Sequence, residues 1–67
     1  MDDLLTIPEL AARVRVKPAT VRAWRRLGID PPSLRVGRRV LYRASVVDRW
    51  LVDKERATEA AREGGAE

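Results

Sequence analysis

The chain has 67 residues and a formal net charge of +4, with 36% of its residues charged and neither histidine nor cysteine. That length holds one small domain with a small core. Without cysteine there is no disulfide or thiolate metal site, and without histidine the commonest general base and metal ligand are missing. No apolar run approaches the roughly 20 residues that span a bilayer. The start Met1-Asp2-Asp3 lacks the basic-then-apolar pattern of a secretory signal. The expectation is a cytoplasmic protein with no membrane partner, no small-molecule ligand and no cofactor.

The first helix is predicted over Ile7–Val14. Thr6 and Glu9 have the spacing of a capping box, Pro8 is tolerated in a first turn, and Ile7, Leu10, Ala11 and Val14 recur on one helical face. Arg15-Val16-Lys17 is a tight connection, because Pro18 disfavours helical geometry before it and suits the start of a new helix. The second helix is predicted over Pro18–Leu27, stopped by Gly28 in the left-handed conformation. Val21, Trp24 and Leu27 lie on one side of it, which reads as the core side. Arg22, Arg26, Ala19 and Ala23 lie on the other, with Arg25 at the border.

Ile29-Asp30-Pro31-Pro32-Ser33 is irregular, since two prolines fix the backbone and remove donors. No role is assigned to Asp30. Leu34-Arg35-Val36, Gly37-Arg38 and Arg39-Val40-Leu41-Tyr42-Arg43 read as a hairpin with a two-residue turn. Tyr42 fits a half-buried strand position better than a phosphate contact. A third helix begins near Ala44 or Ser45, buries Val46, Val47, Trp50 and Leu51, and continues past Val52 to about Arg62. Beyond Val52 only weak pairs such as Glu59 with Arg62 support it, and Gly64-Gly65 ends it. The domain is therefore placed at residues 1–52, with 53–67 a helical extension and frayed acidic tail. No internal repeat is present.

The charge is unevenly spread. Residues 13–43 carry Arg13, Arg15, Lys17, Arg22, Arg25, Arg26, Arg35, Arg38, Arg39 and Arg43 against Asp30 alone, a net of +9, while residues 1–12 hold −3 and residues 44–67 hold −2. Balanced surfaces interleave the two signs. A basic centre made almost wholly of arginine, whose planar fork suits phosphates and guanine edges, points to nucleic acid. Arg13 and Arg15 read as solvated or backbone-steering, and Arg43 as a residue near the start of the third helix.

Two short helices joined by a tight turn, a hairpin and a further helix are the plan of a winged helix-turn-helix. The fold class is α+β, mostly α, with two short helices, a two-stranded hairpin wing and a C-terminal helix. Such modules place the second helix of the pair in the DNA major groove. The candidate recognition-helix residues are Lys17, Ala19, Thr20, Arg22, Ala23, Arg25 and Arg26. Arg22 and Arg26 face the groove, Ala19 and Ala23 allow close approach, and Lys17 and Arg25 suit phosphates. The candidate wing residues are Arg35, Arg38 and Arg39, placed for a neighbouring minor groove.

The ordered set LLTIPELAARVRVKPATVRAWRRLG followed by IDPPSLRVGRRVLYRASVVDRWL resembles the excisionase and MerR-like family of small winged-helix proteins over residues 4–52. TVRAWRRLGIDPPSLRVGRRVLY is especially similar to excisionases of lambdoid phages, although Ala19 and Ala23 stand where that pattern has longer polar side chains. The resemblance implies a recombination directionality factor that binds and bends attachment-site DNA in a bacterial host. It also implies a tyrosine integrase as partner, with Arg22 and Arg26 as groove contacts and Arg38 and Arg39 as wing contacts. One such module buries only about 600–1,000 Å² on DNA, so useful affinity calls for self-association on adjacent sites. A small MerR-like or phage transcription regulator built on the same module is the alternative. Catalysis is not expected: Ser33, Ser45, Thr6, Thr20, Thr58 and Tyr42 have no histidine to activate them.

Overall fold

A computed structural model describes residues 2–65, with side chains through Ala61. The order of elements is β1 (Leu4–Leu5), α1 (Ile7–Val14), α2 (Pro18–Leu27), β2 (Leu34–Val36), β3 (Arg39–Arg43) and α3 (Ala44–Gly65). Both predicted short helices have the expected limits, and local chemistry explains why. At α1 the Thr6 hydroxyl accepts from the Glu9 N–H at 3.3 Å, and the Glu9 carboxylate accepts from the Thr6 N–H at 2.8 Å. This closes the reciprocal box that satisfies two orphan donors. Helix α2 starts on Pro18 and ends at Gly28, whose φ of 72° is the left-handed geometry glycine adopts without steric cost.

The turn between α1 and α2 is less ordinary. Arg15 has φ 65° and ψ 44°, the only described non-glycine residue at positive φ. The Val16 N–H beyond it bonds to the Ala11 carbonyl at 2.9 Å. The chain thus reverses tightly enough to lay α2 across α1, at the cost of a left-handed side-chain-bearing residue.

The hairpin has the predicted register: Leu34 opposite Leu41, Arg35 opposite Val40 and Val36 opposite Arg39. Gly37 has φ 61° while Arg38 does not reach positive φ, which fits a turn needing glycine only at its first central position. The hairpin is not two-stranded in isolation, however. Strand β1 pairs antiparallel with β3, Leu4 opposite Arg43 and Leu5 opposite Tyr42, giving a three-stranded sheet of order β1-β3-β2. Two residues are too few to display strand periodicity, so this partner was not foreseen. It flanks β3 on the side away from β2, and two-stranded hairpins are marginal alone.

The N-terminal segment also finishes α3. The Ala44 N–H bonds to the Asp3 carbonyl at 2.9 Å, and the Asp2 carboxylate accepts from the Ser45 N–H at 3.0 Å and the Ser45 hydroxyl at 2.8 Å. Asp2 is a helix cap supplied from 43 residues away in sequence. The Ser45 backbone bond first, then its hydroxyl, hold the Asp2 carboxyl below its usual range, with help from the Arg43 guanidinium 3.9 Å away. That contribution is present above the ordinary carboxylate range and fades as pH falls through the lowered value.

The fully buried side chains are Leu10 and Ala11 of α1, Val21 of α2, Tyr42 of β3 and Val47 of α3, with Pro31 from the loop. Leu5, Ile7, Val14, Val16, Trp24, Val40 and Leu51 pack around them. Several expectations need correction. Leu27 is 71% exposed and lies outside the core, because the apolar side of α2 spans a wide arc and only Val21 points to its centre. Asp30 has a role: it accepts a 2.8 Å hydrogen bond from the Tyr42 hydroxyl, and Tyr42 is fully buried rather than half-buried. Arg13, read as solvated, makes a two-oxygen contact with Asp48 that ties α1 to α3. Helix α3 is continuous through Gly65, past the expected end near Arg62, and from Val52 to Ala61 every residue is exposed. The Arg62 side chain, invoked for the Glu59 pair, lies outside the described residues.

Burial, then the bond to Asp30 and its charge, raise the Tyr42 hydroxyl above its ordinary value of 10 against the opposing charge of Arg25. This contribution to stability is complete below the ordinary tyrosine value and is lost as pH rises toward the folded value. Tyr42 is the one tyrosine in the chain, so phenolate absorbance should stay absent well above pH 10 until the protein unfolds. Tyr42→Phe should lower stability by about 1–2 kcal/mol in chemical denaturation. At the α1–α2 turn, Arg15→Gly should leave thermal stability unchanged or raise it by up to about 1 kcal/mol, while β-branched Arg15→Val should lower it by about 1 kcal/mol or more.

Candidate nucleic-acid interface

The exposed side of α2 is built from small and cationic side chains. Lys17 occupies the N-cap with extended backbone, and its ammonium, which has no acceptor, makes no side-chain capping bond. Ala19, Arg22 and Arg26 are exposed, and Thr20, Ala23 and Arg25 are half-buried. Arg22 and Arg26 stand one turn apart on the same face. The sequence placed Arg25 at the border of that face, and the structure brings it in with the other two. Arg22, Arg25 and Arg26 line one open cleft of about 370 Å³ together with Ile7, the first residue of α1. Nothing in the sequence pattern singled out Ile7 for this position, because its spacing marked it only as apolar.

The wing carries its arginines in three directions. Arg38 lies in the two-residue turn at the tip. Cross-strand partners share a face and successive residues alternate. Arg35, opposite Val40, therefore lies on one face of the hairpin and Arg39, opposite Val36, on the other. All three are exposed. The ion pairs among the described residues are Arg13 with Asp48 and Arg43 with Asp2. None of Lys17, Arg22, Arg25, Arg26, Arg35, Arg38 or Arg39 takes part in them.

Both tryptophans are turned to structure. Trp24 of α2 packs against Trp50 of α3 with planes tilted by 45° and ring centroids 5.6 Å apart, within the range over which aromatic rings interact. The Lys54 ammonium lies over the Trp50 ring, 5.3 Å from its centre. Among the described residues no three acidic groups gather as a metal site, and no helix is long and apolar enough to cross a membrane. What the arrangement offers chemically is charge: guanidinium groups without acidic partners on one helix face and one hairpin.

The comparisons with known proteins agree with this geometry. Residues 4–53 match the family model described as a helix-turn-helix domain. No curated protein matches the chain, and no solved structure does. The matched span takes in β1, both short helices, the hairpin and the packed part of α3. The chain belongs to the helix-turn-helix domain family, and it is a DNA-binding protein of that kind.

Proposed function

We propose that this protein is a sequence-specific excisionase. In this reading it binds cooperatively to attachment-site DNA in a bacterial cytoplasm, bends it, and directs a tyrosine integrase toward excision of a phage or mobile element. The observation that carries the reading is the grouping of six arginines on α2 and the hairpin, Arg22, Arg25, Arg26, Arg35, Arg38 and Arg39, none of them in an ion pair among the described residues. Both stand on a module that occupies residues 4–53 of the chain. Added to this is the resemblance of TVRAWRRLGIDPPSLRVGRRVLY to excisionases.

In this reading Arg22 and Arg26 enter the major groove, with Ala19 and Ala23 allowing the helix axis close to the bases and Thr20 beside them. Lys17 and Arg25 hold phosphates at the groove edge. The tip arginine Arg38 enters the adjacent minor groove, where a narrow A·T-rich stretch concentrates negative potential. Arg35 and Arg39, on opposite faces of the hairpin, then reach the two flanking strands. Filling a major groove and a neighbouring minor groove from one rigid body favours bent DNA. A single copy covers little surface, so several copies bind adjacent sites.

The functional experiment is an excision assay with the integrase of the same element. Stimulated excision supports the proposal, whereas tight site-specific binding without stimulation assigns the chain to the small transcription regulators that use this module. Two binding measurements accompany it. Affinity for duplex DNA should fall steeply with salt, about −0.9 in log–log slope for each phosphate contacted, Lys17→Ala should make that slope shallower by about 1, and Arg38→Ala should weaken binding most on A·T-rich flanks. Arg26→Ala should cost about 1–3 kcal/mol on the preferred duplex and much less on unrelated DNA, read by fluorescence anisotropy.

A further inference from the structure

The inventory of side chains limits which bases this protein can read. The sequence contains no asparagine and no glutamine. These carboxamides are the side chains that bind adenine with two hydrogen bonds in the major groove. Helix α2, with the sequence PATVRAWRRL, has no carboxylate either, and a carboxylate is what accepts from the cytosine amino group. The nearest acid in sequence, Asp30, is held by the Tyr42 hydroxyl. Toward the groove α2 therefore offers two long exposed donors, Arg22 and Arg26, the exposed methyl of Ala19 and the half-buried methyl of Ala23. Thr20 is half-buried and its short hydroxyl does not discriminate among bases.

Arginine has a fork of parallel N–H donors and no acceptor, which matches the two acceptors N7 and O6 of guanine. Adenine presents one acceptor and one donor at the same edge, so the fork meets a repelling hydrogen. Arg22 and Arg26 are four residues apart, a rise of about 6 Å along the helix. In groove-reading helices, residues three or four apart address successive bases. Arg25 is set back between them, half-buried in the cleft beside Ile7. The alanine methyls complement the thymine methyl by apolar contact.

We infer that the major-groove part of the DNA site is defined by two guanines, one or two base pairs apart, held by Arg22 and Arg26, with thymine favoured beside them and no adenine read directly. This rests on the DNA-binding reading and goes beyond it by naming the sequence class. Beyond that thymine, A·T preference belongs to the minor groove beneath the wing and is read by groove width.

The test is selection of the full chain's preferred duplexes from a random double-stranded library, followed by base-analogue substitution in the winning duplex. The expected motif has two guanines within two base pairs of each other. Changing either guanine should weaken binding about 5- to 150-fold. Replacing it with 7-deazaguanine, which lacks the N7 acceptor, should weaken binding with the wild-type protein. Inosine, which alters only the minor-groove edge, should leave that position unchanged. Arg22→Ala and Arg26→Ala should each erase preference at one guanine and keep it at the other. A selected motif without a close guanine pair, insensitivity to 7-deazaguanine, or unselective duplex binding would each overturn the inference and leave DNA binding standing. Failure to retain any duplex at low salt would overturn the DNA-binding reading itself.

Discussion

The buried ring of Tyr42 is the point on which the rest of the molecule depends. It lies in β3 opposite Leu5 of β1, packs among Leu10, Ala11, Val21 and Val47, and donates its hydroxyl to Asp30. A domain of this size has few other ways to anchor a hairpin, since its strands are short and it has no disulfide. The phenol supplies apolar area to the core and one polar tip that must be satisfied. Asp30 satisfies it from the loop that follows α2. The bond therefore fixes the root of the hairpin relative to the end of α2, and so ties together the two elements that carry the basic charge.

The acids of the described structure are occupied internally to a notable degree. Glu9 closes the α1 cap, Asp2 caps α3, Asp30 takes the Tyr42 hydroxyl and Asp48 holds Arg13. Three of these four bonds join segments distant in sequence and help define the tertiary arrangement. The exposed ion pair of Arg13 with Asp48 contributes little energy by itself, but its fork geometry sets α1 against α3. With these carboxylates engaged elsewhere, the cations of α2 and the wing keep an uncancelled field. That field steers polyanions over roughly a Debye length and makes binding sensitive to salt. Fold and function share this partition of charge.

Much of this was legible in the chain because the signals are local. The Thr6–Glu9 box, Pro18 at a helix start, Gly28 at a helix end and Gly37 in a two-residue turn each act within four residues, and the limits of α1, α2 and the hairpin follow from them. The exposed arginines of α2 were legible for the same reason, since helical angle is a property of spacing. What escaped lacked a local signal. Leu4–Leu5 becomes a strand only because β3 is there to pair with it. Leu27 has the right residue type for the core, yet no element covers it. Asp30 looked like an ordinary loop acid until the fold brought Tyr42, 12 residues on, to hydrogen-bond distance.

The sequence by itself determined the limits of α1, α2 and the hairpin, the segregation of charge into a basic centre, and the absence of histidine and of the carboxamides that bind adenine. These are facts of composition and of neighbours within a helical turn. Tertiary structure alone decided which cations stand together and which acids are withdrawn from them. Arg25 joins Arg22 and Arg26 at one cleft beside Ile7. Asp2 and Asp48 turn to Ser45 and Arg13 instead. Those outcomes depend on strand register and on how α1 and α3 pack, and such long-range pairings leave no periodic trace in the chain.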